Sequence, residues 1–341
     1  MNTPVKSILK EIRNFYRVYV SKNSPIKRHP RLTVLMYHRV ITENEMRGRY
    51  VQPGMYVTPG TLRKNIQVLK KYYKIIRMSE WVELVENKKP IDEQYCVLTF
   101  DDGWADNYNN AFDILKSENV PITLYLASDY VGTNRQFWPE RLASILTIIY
   151  AQTHTSTDLQ RYFKTLFEVD VDFSLQKGDR VAELDRVITE MKRYPDSLIE
   201  DKIEKMISKY GLTDDGYDPA IVNWKQVKEM VDSGLVEIGS HTKNHRRLAS
   251  LTDKLELFDE VFESKKKIEK KIGFPVELFS FPNGDVSDES KKLVNKHYKT
   301  ACTTRRGVNE VNDSLFDIKR ISIHDDVASN SLRLLARLSC Q

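Results

Sequence analysis

Asp101 and Asp102 are consecutive carboxylates at the end of an apolar run, Val97-Leu98-Thr99-Phe100, and Gly103 follows them directly. Val, Leu, Thr and Phe in sequence suit a buried strand. Adjacent side chains on a strand point to opposite faces, and a glycine turn just past its end relaxes that rule. The two carboxylates can therefore face one cavity in different roles. Read alone, Asp-Asp-Gly is also ordinary turn chemistry. A second cluster, Gly239-Ser240-His241-Thr242-Lys243-Asn244-His245, carries two histidines four residues apart. On a helix that spacing puts both on one face, where they can share an ion. His241, His245 and one carboxylate would make a His₂Asp set with a position left open for water, the pattern of a catalytic zinc. The alternative is a solvated histidine pair in a polar loop. A third cluster, Phe279-Ser280-Phe281-Pro282-Asn283-Gly284-Asp285, runs from an apolar segment into a Pro/Gly-shaped loop. Such a loop offers backbone N–H groups to an anionic oxygen.

Each cluster sits at the end of an expected strand. Strands are expected at Arg31–His38, Lys74–Arg77, Val97–Phe100, Ile122–Ala127, Val236–Ser240, Val276–Phe281, Lys299–Thr303 and Ile318–Ile323. Helices are expected at Thr58–Tyr73 with Thr58 as cap, Ser79–Asn87 capped by Ser79, Asn107–Ser117, Trp224–Ser233, Lys254–Ile272, Ser287–His297 and Ser331–Leu338. In Lys254–Ile272 the inward set is Leu255, Phe258, Val261, Phe262 and Ile268. Strand–helix alternation of this kind points to parallel pairing in an α/β fold, and the number of units fits a barrel better than an open sheet. The alternation stops between 139 and 222, which reads as a mostly helical insertion.

Composition bounds the function. A chain of 341 residues with a formal charge of +5, 40% apolar and 30% charged residues is an ordinary globular protein, and nothing in it argues for nucleic acid. Cys96, Cys302 and Cys340 form no CxxC pattern; the first two sit in apolar runs as buried thiols, consistent with a reducing compartment. There is no transmembrane run and no secretory signal, so a cytoplasmic location is expected. Residues 1–31 carry Lys6, Lys10, Arg13, Arg17, Lys22, Lys27, Arg28 and Arg31 against the single acid Glu11. Val5, Ile8, Leu9, Ile12, Phe15, Tyr16 and Tyr19 recur there at helical spacing. This basic amphipathic helix is a candidate for peripheral contact with an anionic inner-membrane surface; the alternative is a helix docked on the protein's own body with its basic face solvated.

Taken together, these residues resemble the polysaccharide deacetylases of carbohydrate esterase family 4, the NodB homology domain. Thr99-Phe100-Asp101-Asp102-Gly103 is similar to the family's first motif, His241-Thr242-Lys243-Asn244-His245 to its second, and Phe281-Pro282-Asn283-Gly284 to a variant of its third. The resemblance covers about residues 33–323. It implies a deformed (β/α)7 barrel, here a domain of residues 32–341 with the insertion at 139–222. It also implies Asp101 as general base, Asp102, His241 and His245 as ligands of one divalent metal (zinc, with cobalt, nickel or manganese as alternatives), and the backbone of Phe281, Pro282 and Asn283 at the oxyanion. Trp104 is a further candidate beside the first motif.

The family also needs a histidine acid, usually in a late Leu-x-x-His motif. Leu35-Met36-Tyr37-His38 supplies that pattern at the start of the chain, as in the permuted branch whose last strand has moved to the front; His324 in Ile321-Ser322-Ile323-His324 is the competitor. Ser280 stands where many members carry an arginine that orients the base, and Asn283 replaces the usual aromatic. Arg320 or Arg306 is the candidate replacement cation, the alternative for Arg320 being a surface ion pair.

The implied activity is removal of an N-acetyl group from an acetamido sugar in a glycan or a lipid-linked precursor. A metal of this kind polarises the carbonyl and brings bound water from a pKa of about 15.7 toward roughly 7. O-deacetylation and N-deformylation use the same machinery, and a catalytically inactive glycan-binding module is the alternative from another class.

Overall fold

The computed structural model describes residues 3–21, 24–27, 29–47, 50–151, 157–175, 179–212 and 220–339. The chain divides into two units: Met1–Glu43, Gly54–Thr133 and Ile221–Gln341 form one, and Asn44–Pro53 with Asn134–Ala220 the other. Among the described residues no helix is long and apolar enough to cross a membrane.

The first unit is α/β and built on a parallel sheet. Its strands are β1 (Arg31–Tyr37), β2 (Lys74–Ile75), β3 (Gln94–Phe100), β4 (Ile122–Leu126), β5 (Val236–Ser240), β6 (Leu278–Ser280), β7 (Thr300–Cys302) and β8 (Ile321–Ser322). They run in the order β8-β1-β3-β4-β5-β6-β7, with β2 on β3, and every ladder is parallel. β1 and β3 are buried along their whole length, as continuous apolar runs in a parallel sheet covered on both faces should be. A single parallel bridge, Cys302 to Ile318, brings the chain just ahead of β8 beside β7. The expected barrel therefore takes the form of an eight-stranded parallel sheet whose last ladders are short.

Register places the chemistry. Tyr37 pairs with Phe100, so the residues that follow, His38 and Asp101, leave the sheet side by side. Leu126 pairs with Ser240, and Ser240 with Phe279, so the loops beginning at His241 and Phe281 leave at the same end. Gly239 is required within β5: a Cβ there would lie 2.4 Å from the Tyr125 ring and 3.0 Å from the Leu278 carbonyl.

Several elements differ from the sequence reading. The helix expected at Ser79–Asn87 begins at Met78, and Ser79 does not cap it. Its first amides point instead at the Glu237 carboxylate, 2.7 Å from Met78 N and 3.3 Å from Ser79 N. The long helix at Lys254–Ile272 is interrupted by a π turn at Asp259–Glu263. A π turn shifts the buried face, so Val261 and Ile268 are buried while Leu255 and Phe258 are exposed. Cys96 and Cys302 are buried free thiols; Cys340 lies outside the described residues.

The second unit is helical among its described residues, with helices at Trp138–Ala151, Thr157–Phe167, Arg180–Met191 and Asp196–Tyr210. It has its own core, including Leu146, Phe163, Phe167, Val187, Ile188 and Ile203. Residues 44–53 also belong to it, through Tyr50 against that core and Gln52 donating to Asp185 at 3.5 Å. A short polar segment carries no periodicity that would have shown this.

Candidate functional site

The two neighbouring carboxylates part company at the end of β3. Asp102 adopts φ +76° and Gly103 φ +83°, so the left-handed turn begins one residue earlier than the glycine alone implies. An aspartate tolerates that conformation better than most residues, and here it swings its carboxylate away from its neighbour's direction. Gly103 has a second reason to be glycine, because a Cβ there would stand 2.6 Å from the Leu126 side chain.

Asp102 faces the histidines. Its Oδ1 lies 3.4 Å from His241 Nε2 and 3.3 Å from His245 Nε2. One ligand atom from each of the three residues falls within 4.8 Å of the others. The histidines do not share a helical face, as the four-residue spacing suggested. They converge through an irregular loop in which Thr242 (φ +65°) and His245 (φ +57°) both take left-handed conformations. Such strain persists only where surroundings enforce it, and here Glu260 does so. Its carboxylate accepts from Lys243 N (3.0 Å), Asn244 N (2.7 Å) and Asn244 Nδ2 (2.8 Å). Burial raises the Glu260 pKa against these bonds. Sequence reasoning missed Glu260; the π turn that carries it is the kind of irregularity that gathers at functional sites.

The donor set fits a divalent cation. His241 Nδ1 lies 2.7 Å from the Ser280 carbonyl, which as an acceptor fixes the proton on Nδ1 and turns the Nε2 lone pair toward Asp102. Trp104 Nε1 donates to Asp102 Oδ2 at 2.8 Å, leaving Oδ1 for the histidines. Burial raises the Asp102 pKa, but the His241 and His245 imidazoles together hold it well below the ordinary carboxylate value. The result is a buried anion with two nitrogen donors beside it, a combination that suits zinc.

Asp101 takes a different partner, a buried guanidinium. Arg320 Nη1 donates to Oδ1 and Nη2 to Oδ2, both at 2.7 Å. The same side chain reaches the Thr303 carbonyl (3.0 Å), Thr99 Oγ1 (3.1 Å) and Ser280 Oγ (2.9 Å). Arg320 is 1% exposed, so it is no surface ion pair. Ser280, small where an arginine was expected, accepts a bond from the Arg320 guanidinium. Arg306 is exposed and donates instead to the Arg337 carbonyl. Burial raises the Asp101 pKa; Arg320 and His241 outweigh it, so the net shift is downward.

Of the two candidate acids, His38 stands with the carboxylates. Burial lowers its pKa, the charges of Asp102 and Asp101 act to raise it, and Arg320 and His241 lower it again, leaving it below the ordinary histidine value. Asp106 and Asn107 hold its segment: Asp106 accepts from Val40 N (2.7 Å) and Arg39 Nε (3.0 Å), and Asn107 donates to the His38 carbonyl (2.8 Å). Arg39 in turn lies over the Trp104 ring, 4.3 Å from its centroid. Neither Asp106 nor Asn107 was singled out from sequence, although both follow the first motif within a few residues. His324 lies elsewhere, 3.2 Å from Asp326 on an exposed contact, with burial and then Asp326 governing its pKa.

The third loop offers less than its sequence suggested. Phe281 spends its N–H on the Cys302 carbonyl (3.0 Å), and Pro282 has none. Asn283, exposed and at φ +53°, carries the remaining amide of the three.

Residues 88–301, more than half of the chain, match the family Polysaccharide deacetylase. The chain belongs to that family. YxkH of Bacillus subtilis strain 168, whose name places it with the polysaccharide deacetylases, is 25% identical over 133 residues, which is 38% of this chain and 44% of that protein, so the match spans less than half of the relative. Among solved structures, the Streptococcus pyogenes deacetylase PplD, in complex with acetate, shares the fold at TM-score 0.57 and 17% identity, covering 90% of this chain and 98% of PplD. IcaB from Ammonifex degensii does so at TM-score 0.57 and 16% identity, covering 90% and 97%.

Proposed function

We propose that this chain is a metal-dependent hydrolase that removes an N-acetyl group from an acetamido sugar in a glycan or glycan precursor. The observation that carries the reading is the division of labour at the end of β3: Asp102 turned to two imidazoles, Asp101 turned to one guanidinium. Asp102, His241 and His245 hold one divalent cation, which when bound supplies Lewis-acid polarisation of the amide carbonyl and acidifies a water. PplD, a structural relative, was solved with acetate, the product that such a reaction releases.

Asp101 acts as the base. Its lowered pKa keeps it ionised at neutral pH, and the paired guanidinium fixes its orientation while leaving lone pairs free to take a proton from the attacking water. Asn283 N–H is the loop amide available to the oxygen that gains charge. The amine then has to leave, and an amide anion is too basic to do so unprotonated. His38, in its protonated form, gives the nitrogen that proton as the C–N bond breaks, yielding acetate and a free amino sugar. A depressed pKa makes the imidazolium a readier donor.

The place of β1 between β8 and β3 supports the permuted arrangement, with the acid contributed from the front of the chain. The test is metal analysis together with acetate release across a panel of N-acetylated sugars, O-acetylated sugars and N-formylated sugars after reconstitution with zinc, cobalt, nickel or manganese. Acetate from the N-acetylated members supports the assignment. Release only from O-acetyl or N-formyl members changes the substrate, and no release with a filled site leaves a glycan-binding module.

A further inference from the structure

The helix Thr3–Tyr19 is inside out. It packs on the C-terminal helix Ser331–Ser339, yet among its described side chains the buried ones are Asn14 and Val18. Glu11 reaches Arg333 across the contact at 3.5 Å. Leu9, Ile12, Phe15, Tyr16 and Tyr19 are each more than half exposed. Their spacing puts them on one side of the helix, and the Phe15 and Tyr19 rings lie 4.5 Å apart, centroid to centroid, along it. A helix docked to complete a core presents its apolar stripe inward. This one shows that stripe to the outside, so core packing does not explain it.

Beside the stripe lies a cavity of about 240 Å³ whose lining includes five arginines, Arg13, Arg17, Arg306, Arg333 and Arg337, and one acid, Asp326. Arg306 and Arg337 donate to backbone carbonyls, and Arg333 to Glu11. Arg13 and Arg17 follow each other by one turn along the edge of the helix that separates the apolar face from the cavity. Among the described residues neither meets a carboxylate. Asp326 and Val327 in the lining belong to the short helix Asp325–Ala328 that follows β8.

We propose that the outward face of this helix and the arginine cavity together form a docking surface for an anionic phospholipid bilayer. The aromatic and aliphatic side chains enter the boundary between headgroups and acyl chains, and the arginines take lipid phosphates. Order and charge select this occupant. Moving around the helix, apolar side chains give way to guanidinium groups, the sequence in which a bilayer presents hydrocarbon and then phosphate. A second copy of the chain would set the same five arginines against five more, with one acid, Asp326, on each side. Both edges of the surface contribute to such binding: buried apolar area drives insertion, and basic residues near an anionic surface add attraction that salt screens.

The experiment is co-sedimentation of the full chain with vesicles of phosphatidylcholine alone and of phosphatidylcholine with phosphatidylglycerol. The expected result is binding to the anionic vesicles, at least tenfold stronger than to the neutral ones and weakened by salt. Ile12→Asp with Phe15→Asp should abolish it, and Arg13→Glu with Arg17→Glu should weaken it at least tenfold. Ile12→Ser with Phe15→Ser repeats the first test with a milder change, and circular dichroism melting checks that each variant is folded. Equal pelleting with and without anionic lipid overturns the proposal, as does unchanged binding by folded variants. Sedimentation showing a dimer that the Ile12 variants dissolve, with no vesicle binding, also overturns it and gives the surface to a second copy.

Discussion

The guanidinium of Arg320 and the carboxylate of Asp101, 219 residues apart in the chain, meet through two parallel hydrogen bonds of 2.7 Å in a fully buried setting. Removing one partner of such a pair strands the other charge, at a cost of about 3–5 kcal/mol. Arg320→Met should therefore lower stability by that amount and reduce turnover by about 100-fold or more, since the base loses its orientation. Arg320→Lys keeps the charge without the fork and should fall between. Urea unfolding and acetate release on the same preparations separate the two effects, with bound metal serving as the control for an intact site.

The ligand and base assignments predict opposite metal contents. Asp102→Ala and His241→Ala should purify without metal and resist reconstitution. Asp101→Asn should keep the metal while turnover drops by about 10²–10⁴. Elemental analysis of the three variants decides the matter, and a full complement of metal in both ligand variants would refute the site.

Trp104 tests support one step further out. Its indole N–H holds the Asp102 oxygen that does not face the histidines. Trp104→Phe removes that bond with little change of volume and should weaken metal affinity by about 10–100-fold. Competition with a chelator measures it.

His38 and His324 are separated by the leaving group. His38→Ala should cost about 10²–10⁴ on an amide, where the nitrogen must be protonated, and far less on an aryl acetate, whose phenolate departs unaided. His324→Ala should change neither. If the amide reaction dies with His324 instead, the acid has been misplaced.

Glu237 gives a pH signature away from the site. Burial raises its pKa in the folded protein, against bonds from Thr123, Met78 N and Ser79 N. A carboxyl whose folded pKa exceeds its unfolded one of about 4.3 stabilises the fold fully only below the unfolded value. That contribution is lost as pH rises through the folded value. Glu237→Gln should flatten this fall, seen as a smaller drop in the urea midpoint from about pH 4 upward than in the unaltered chain.

The strands that matter, and the side chains at their ends, were legible before any coordinates. The apolar run Val97–Phe100 reads as a buried strand with Asp101-Asp102 directly after it, and the shorter run Val236–Ser240 ends just before the loop of His241 and His245. The sequence also shows that the N-terminal helix has one apolar and one basic side. Which way that helix turns, with Asn14 and Val18 buried and Glu11 meeting Arg333 of the C-terminal helix, is a preference between surfaces that periodicity does not encode. Tertiary structure alone decided that the histidines meet through left-handed loop residues pinned by Glu260, and that residues 44–53 belong with the helical unit. It also selected Arg320 over Arg306. A lone arginine in sequence carries no sign of its partner; burial chose the one whose charge Asp101 could neutralise, because an unpaired guanidinium cannot remain in the core.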